Sequence, residues 1–421
     1  MARETSMKNN VGPSGHEASE GCPHRAALPA HPLVATALAG GPVIFEPRMN
    51  MWLITRYQDV VEAMKDNEHF SIVGALDSSM LLDPEVLEML RPVMPVCGTS
   101  LMSIDPPQHT RMRTLINQAF TPRRVAQLEP LIRQVVNQMV DEVLAQGQAD
   151  LVPLSQQLPM HVICTFLGIP EADREQVKRW SFEWLKLLSN AMPIEEQRHC
   201  ANSMLNHMAY IDGLIARLRQ DPQDDFISHL VTTSTDGRMA MSAKEIADTV
   251  NLLTVAGQES TAIMLSTCFY RLLSEPERWQ AIREDRTLIE PFVEEVLRLD
   301  GVSMGGVRIV KEDVTLHGVT IPRGATVLLM VSAANMEPTL FAEPERFDPA
   351  REHLSRHVAF GYGTHFCLGA PLARLELRLM VDVLADRLPS LRMLPDQEIA
   401  YLPMLFARGL SRLLVAWDER A

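Results

Sequence analysis

Residues 360–369 read Phe-Gly-Tyr-Gly-Thr-His-Phe-Cys-Leu-Gly, one cysteine set among glycines and aromatics and followed at once by a helical pattern of Leu, Ala and Arg. A thiolate is a stable ligand only where backbone N–H groups aim at the sulfur and water is held back. Gly361, Gly363 and Gly369 allow tight turns and close approach of the backbone to Cys367. The helix that follows adds its positive N-terminal end, which favours the anion. The opposing reading is that Cys367 is a small buried hydrophobe, the ordinary fate of a free cysteine. A thiolate housed in this way, with no second cysteine nearby, points instead to a single-ligand metal site whose other donors come from a macrocycle.

Outward from this stretch, the composition describes a globular protein. The 421 residues are 46% hydrophobic and 22% charged, with a net charge of −14 that argues against nucleic acid and against an anionic membrane surface. No apolar run is long enough for a membrane span. Residues 1–30 are polar and read as a mobile arm without the apolar core of a signal peptide. Cys22, Cys97, Cys164, Cys200, Cys268 and Cys367 show no paired spacing, which suits a reducing cytoplasm. With no internal linker in evidence, residues 31–421 read as one large domain.

Other segments carry chemistry. Asp105-Pro106-Pro107 reads as a helix start with Asp105 as N-cap, which puts His109 and Arg113 four apart on one helix face. Four arginines and no carboxylate lie between Gln108 and Arg124. Ser242 and Glu245 form a capping box that opens a helical run extending to Glu275-Pro276, some 33 residues and roughly 50 Å. Within it Ala256-Gly257-Gln258-Glu259-Ser260-Thr261 places glycine and polar groups in mid-helix, where propensity disfavours them. Glu295 and Arg298 face one another at i,i+3. The segment after Gly301 alternates and reads as strands with turns at Gly318 and at Pro322-Arg323-Gly324.

Phe360, Gly363, Cys367 and Gly369 match the heme-thiolate loop of the cytochromes P-450, and the resemblance holds from about Trp52 to Trp417. It implies a mostly α fold with small β-sheets: a triangular α-rich prism with a long central I helix and heme b (iron protoporphyrin IX) between the I and L helices. It further implies Cys367 as the axial iron ligand, and His109, Arg113, Arg308 and His365 as partners of the heme propionates. Glu259 and Ser260 resemble the acid–alcohol pair that relays protons to dioxygen, with serine where the family usually has threonine. Serine lacks the β-methyl that restricts χ1, so its hydroxyl can turn back to the carbonyl four residues earlier. Glu295 and Arg298 resemble a structural pair that an arginine from the "PERFDPAR" stretch completes, either Arg346 or Arg351.

The activity implied is that of a bacterial, soluble monooxygenase that receives electrons from a ferredoxin and its NAD(P)H-dependent reductase. Met102, Leu252, Ala256, Val302, Ser303, Leu405 and Phe406 are the expected pocket residues, largely apolar and suited to a neutral or aromatic small molecule. Two other readings follow. Oxidative coupling or ring closure of an aromatic substrate, such as an indole or cyclic dipeptide, is motivated by Ser260. A heme-binding sensor without turnover has no need of an acid–alcohol pair.

Overall fold

The computed structural model describes residues 32–75, 82–93, 100–189, 192–233, 241–402 and 407–418. The expected arm at 1–30 and the pocket residues Leu405 and Phe406 lie outside the described residues. The fold is mostly α with small β-sheets. Amphipathic segments set this division: in the helix Glu129–Val143, Ile132, Val135, Val136, Met139 and Val140 recur at helical spacing and are buried. The helix Ile194–Gln220, at 27 residues, is the longest among those described.

A five-stranded sheet runs in the order Val43–Glu46, Met51–Ile54, Thr326–Leu329, Gly306–Val310, Phe70–Ser71. Its second and third strands pair in parallel with Trp52 opposite Val327, while Arg308 also lies opposite Val327 across an antiparallel ladder. The expected turns carry left-handed glycines, Gly318 at φ 80° and Gly324 at φ 81°. A second sheet joins Gln148–Asp150 to Leu414–Ala416 and Arg392–Met393. The main core lies between the helices, and Leu372, Leu375, Leu379 and Leu384 of the helix Ala370–Arg387 belong to it.

Two expectations need correction. The run after Ser242 is two helices, Ala243–Ala256 and Glu259–Leu273. The capping box at its start is present as read. Gly257 has φ −76° and ψ −15°, and Gln258 has φ −91° and ψ −66°, so the chain tightens for one turn and resumes. Gln258 N–H donates to Val255 O at 3.4 Å, a three-residue turn, and Ala262 N–H donates back to Gln258 O at 3.1 Å. The upper helix packs on Ile194–Gln220 and the lower one on Ala370–Arg387 and Leu151–Ser155.

The second correction concerns Asp105. The helix Gln108–Ala119 has Pro107 at its N-cap and no side-chain cap bond. Asp105 instead accepts from Ser71 Oγ at 2.5 Å and from Ile72 N–H at 3.1 Å, tying this helix start to the sheet edge. The two prolines place the carboxylate before the first turn, where it has another donor set to serve.

Candidate active site

The loop that ends in Cys367 is shaped by two left-handed glycines, Gly361 at φ 72° and Gly363 at φ 68°. A Cβ at Gly363 would meet Met64 O at 2.8 Å, so close packing against the Tyr57–Lys65 helix also requires glycine there. Cys367 N–H donates to Phe360 O at 2.9 Å and closes the loop. Unlike Cys164, Cys200 and Cys268, which are buried, Cys367 is solvent-exposed. Burial by the surrounding protein pushes its pKa up, while amide bonds from Gly369 and Ala370 and the charges of Arg113 and Arg374 pull it down. These amides are the donors that a sulfur anion needs. Among the described residues no group of three or more His, Cys, Asp or Glu could hold a metal ion.

Four basic side chains gather beside this loop. His109 is 2% exposed, and both of its ring nitrogens are buried without a partner. Its ring lies 4.3 Å from that of His365, whose Nε2 is likewise buried and unpartnered. Burial and the Arg113 charge hold His109 down at about 4, and burial, His109 and Arg308 hold His365 at about 3. Arg308, 5% exposed, donates to Val307 O at 2.8 Å, and Arg113 donates to Asn117 Oδ1 at 3.1 Å. Burial lowers the pKa of both arginines. Among the described residues no carboxylate pairs with any of the four; Asp105, the acid that His109, His365 and Arg308 feel, is engaged by Ser71 and Ile72.

Buried polar groups without partners are costly unless a ligand satisfies them. Unpartnered nitrogens on His109 and His365, beside two guanidiniums that no acid neutralises, suit a group bearing two carboxylates. Together with the amide-flanked sulfur, this donor set fits an iron porphyrin.

At the helix break, Ser260 Oγ donates to Ala256 O at 3.0 Å, the back-bonded rotamer open to serine. Burial raises the pKa of Glu259. Glu259 lines a cavity of about 410 Å³ with Gln258, Ile263, Lys178, Phe182 and Leu402. Of the expected pocket residues, Ala256 is exposed, Leu252 is half-buried and Met102 is 45% exposed, and none of these lines that cavity. Val302 and Ser303 are tied to the C-terminal segment: Arg408 N–H donates to Val302 O at 3.1 Å, and Ser303 forms a β-bridge with Ala407.

The buried pair Glu295–Arg298 has bonds of 2.7 and 2.8 Å, with both side chains fully enclosed. Between the two candidate arginines, Arg351 reaches Glu295 Oε1 at 3.4 Å and donates to the carbonyls of Ala342, Glu343 and Arg346. The Arg346 side chain turns outward to Glu343 at 3.0 Å and contributes to this network only its carbonyl.

A family model for cytochrome P450 matches residues 45–388. The chain is a cytochrome P450. It is 38% identical over 371 residues to mycinamicin IV hydroxylase/epoxidase of Micromonospora griseorubida, covering 87% of this chain and 89% of that protein. It is 36% identical to vitamin D(3) 25-hydroxylase of Pseudonocardia autotrophica, covering 93% and 94% respectively. The fold resembles the structure of cytochrome P450 CREJ in complex with (4-ethylphenyl) dihydrogen phosphate, with a TM-score of 0.85 at 31% identity over 92% of this chain and 96% of that one. This P450 is thus an oxidoreductase of the monooxygenase type, of the bacterial kind, with heme iron as its cofactor. Among its described residues no helix is long and apolar enough to cross a membrane.

Two groups of residues escaped the sequence reading. Asp105 looked like a cap because it precedes two prolines. Glu294, next to the recognised Glu295, was not singled out, yet it binds Arg374 and His357 behind the cysteine loop. The adjacent pair Glu294-Glu295 on a helix with Arg374 two turns beyond the cysteine was the available signal.

Proposed function

We propose that this P450 holds heme b through Cys367 and oxidises an apolar or aromatic small molecule of specialised metabolism, in the cytoplasm, with electrons from a ferredoxin and its NAD(P)H-dependent reductase. The carrying observation is the set of unpartnered donors on His109 and His365, with Arg113 and Arg308, beside an amide-flanked Cys367 Sγ. The hydroxylase names of the relatives support insertion of oxygen.

When bound, the heme supplies the redox chemistry of dioxygen activation. The chain's own work is different. His109, Arg113, Arg308 and His365 would hold the two heme propionates. The amides of Gly369 and Ala370 favour the anionic form of Cys367 against the burial that opposes it. Glu259, desolvated beside its cavity, retains a proton to higher pH than a free carboxyl, and the Ser260 hydroxyl is the next donor along the break. Proton transfer at Ser260 Oγ requires rotation away from Ala256 O.

That rotation motivates the second reading. With its proton directed to Ala256 O, Ser260 rests out of the proton route, which suits oxidative coupling or ring closure of an aromatic substrate without net oxygen insertion. Isotopically labelled dioxygen distinguishes the two: label in the product supports monooxygenation, and its absence from an oxidised product supports coupling. The central claim is tested by the reduced, CO-bound spectrum. A red-shifted Soret band of thiolate-ligated heme is expected, and a histidine-type band overturns the assignment of Cys367.

A further inference from the structure

We propose that Glu294 is a positioning residue that sets the electrostatic field at Cys367 Sγ by fixing, and partly neutralising, the guanidinium of Arg374. The inference rests on Cys367 being the iron ligand.

Glu294 belongs to the helix Ile289–Asp300, and its carboxylate is gripped from two sides. Arg374 Nε donates to Oε1 at 2.7 Å and Nη2 to Oε2 at 2.9 Å, a two-point fork. His357 Nε2 donates to Oε2 at 2.9 Å. The other ring nitrogen of His357 accepts from Ala359 N–H at 3.2 Å, so the hydrogen-bond pattern assigns the neutral tautomer protonated at Nε2. The His357 side chain is 1% exposed, and the next residue, Val358, donates its N–H to Asn335 Oδ1 at 2.8 Å. The segment entering the cysteine loop is thereby pinned at two successive residues.

Arg374 connects this clamp to the sulfur. Its guanidinium lies 4.5 Å from the centroid of the Phe360 ring, and Phe360 O receives the Cys367 N–H. Its positive charge is felt at Cys367, where it favours the anion. Glu294 opposes that charge at the range of a hydrogen bond. The sulfur therefore experiences a guanidinium–carboxylate dipole of fixed orientation in place of a free cation. The more familiar buried pair one residue along, Glu295–Arg298, is directed to the carbonyls of Asn335 and Pro344 and serves a different part of the fold.

Charge sign supplies the test. One-electron reduction of the iron centre adds negative charge, so extra positive charge near the sulfur raises the reduction potential and extra negative charge lowers it. In the holoenzyme, Glu294→Gln leaves Arg374 unopposed, and the potential measured by spectroelectrochemistry shifts positive relative to wild type. Arg374→Gln leaves the carboxylate unopposed, and the potential shifts negative. Arg374→Lys keeps the charge without the fork and returns the potential toward the wild-type value. A purely mechanical clamp predicts that Glu294→Gln and Arg374→Gln, which break the same fork, shift the potential in the same direction. That result, or no shift in either variant, overturns the inference when wild type shows the thiolate-type CO spectrum. If wild type itself lacks that spectrum, the assignment of Cys367 fails first and the inference falls with it.

Discussion

Ser260 concentrates what is particular to this active site. A threonine at its position carries a methyl group that limits χ1, whereas serine rotates among its wells at little cost. The hydroxyl rests on Ala256 O at 3.0 Å, one helical turn back. Ser260→Ala removes the donor altogether, and a positioned proton donor contributes on the order of 10²-fold or more to a step that needs it. Product formed per NADPH consumed is expected to fall several-fold in this variant, with the excess electrons recovered as reduced oxygen species. Ser260→Thr is expected to raise the same ratio. Parallel assays of NADPH and product measure both, and an unchanged ratio in Ser260→Ala removes the residue from the proton route.

At the scale of elements, the broken distal helix shows where sequence patterning reaches its limit. Capping box, apolar spacing and a terminal Glu-Pro all describe one helical run, and each of those signals is correct locally. The break arises from a single residue without a side chain. A Cβ on Gly257 would lie 2.9 Å from Leu253 O and 3.2 Å from Ile163 Cγ1, so the turn between the halves has room for hydrogen only. Its φ of −76° is acceptable to any residue, so the constraint is space and not backbone conformation. Gly257→Ala is expected to cost about 1–3 kcal/mol, the usual penalty of overpacking, read as a lower denaturant midpoint at unchanged m value.

The same contrast between local signal and spatial context explains the rest of the site. Cys367, His109, Arg113, Arg308 and His365 could be named as candidates because each sits in a segment with a distinctive pattern, and the structure gathers them in one region. Arg351 and Arg346 could not be separated, because both lie on an irregular stretch whose turns decide which one points inward. Glu294 was missed for a related reason: its partners, His357 and Arg374, are 63 and 80 residues away. Periodicity carries no information about contacts at that range.

For the whole molecule, buried neutral histidines are expected to contribute to the loss of stability on the acid side. His207 is fully buried against Trp180, with ring centroids 5.7 Å apart, and burial holds it down at about 4. Its unfolded value is about 6.5. The folded value is therefore depressed. The contribution is complete above pH 6.5, because both states are then neutral. It declines as pH falls toward 4, where the unfolded chain binds a proton that the native chain refuses. One such group tilts stability by about 1.4 kcal/mol per pH unit within that window. Urea midpoints at pH 7, 6 and 5 are expected to fall steadily for wild type, and His207→Gln is expected to show a shallower fall. Equal slopes for the two proteins would mean that His207 is protonated in the native state.

The interruption at Gly257-Gln258 also divides the molecule mechanically. Above it, Ala243–Ala256 packs on the Ile194–Gln220 helix; below it, Glu259–Leu273 packs on the Ala370–Arg387 helix that follows the cysteine loop. An unbroken rod would transmit any displacement of one body to the other. A rod with a joint uncouples the two packing groups, so a displacement of one need not be carried into the other. Amides at the joint should then exchange their hydrogens faster than those on either side, marking a low-stability seam between two slower units.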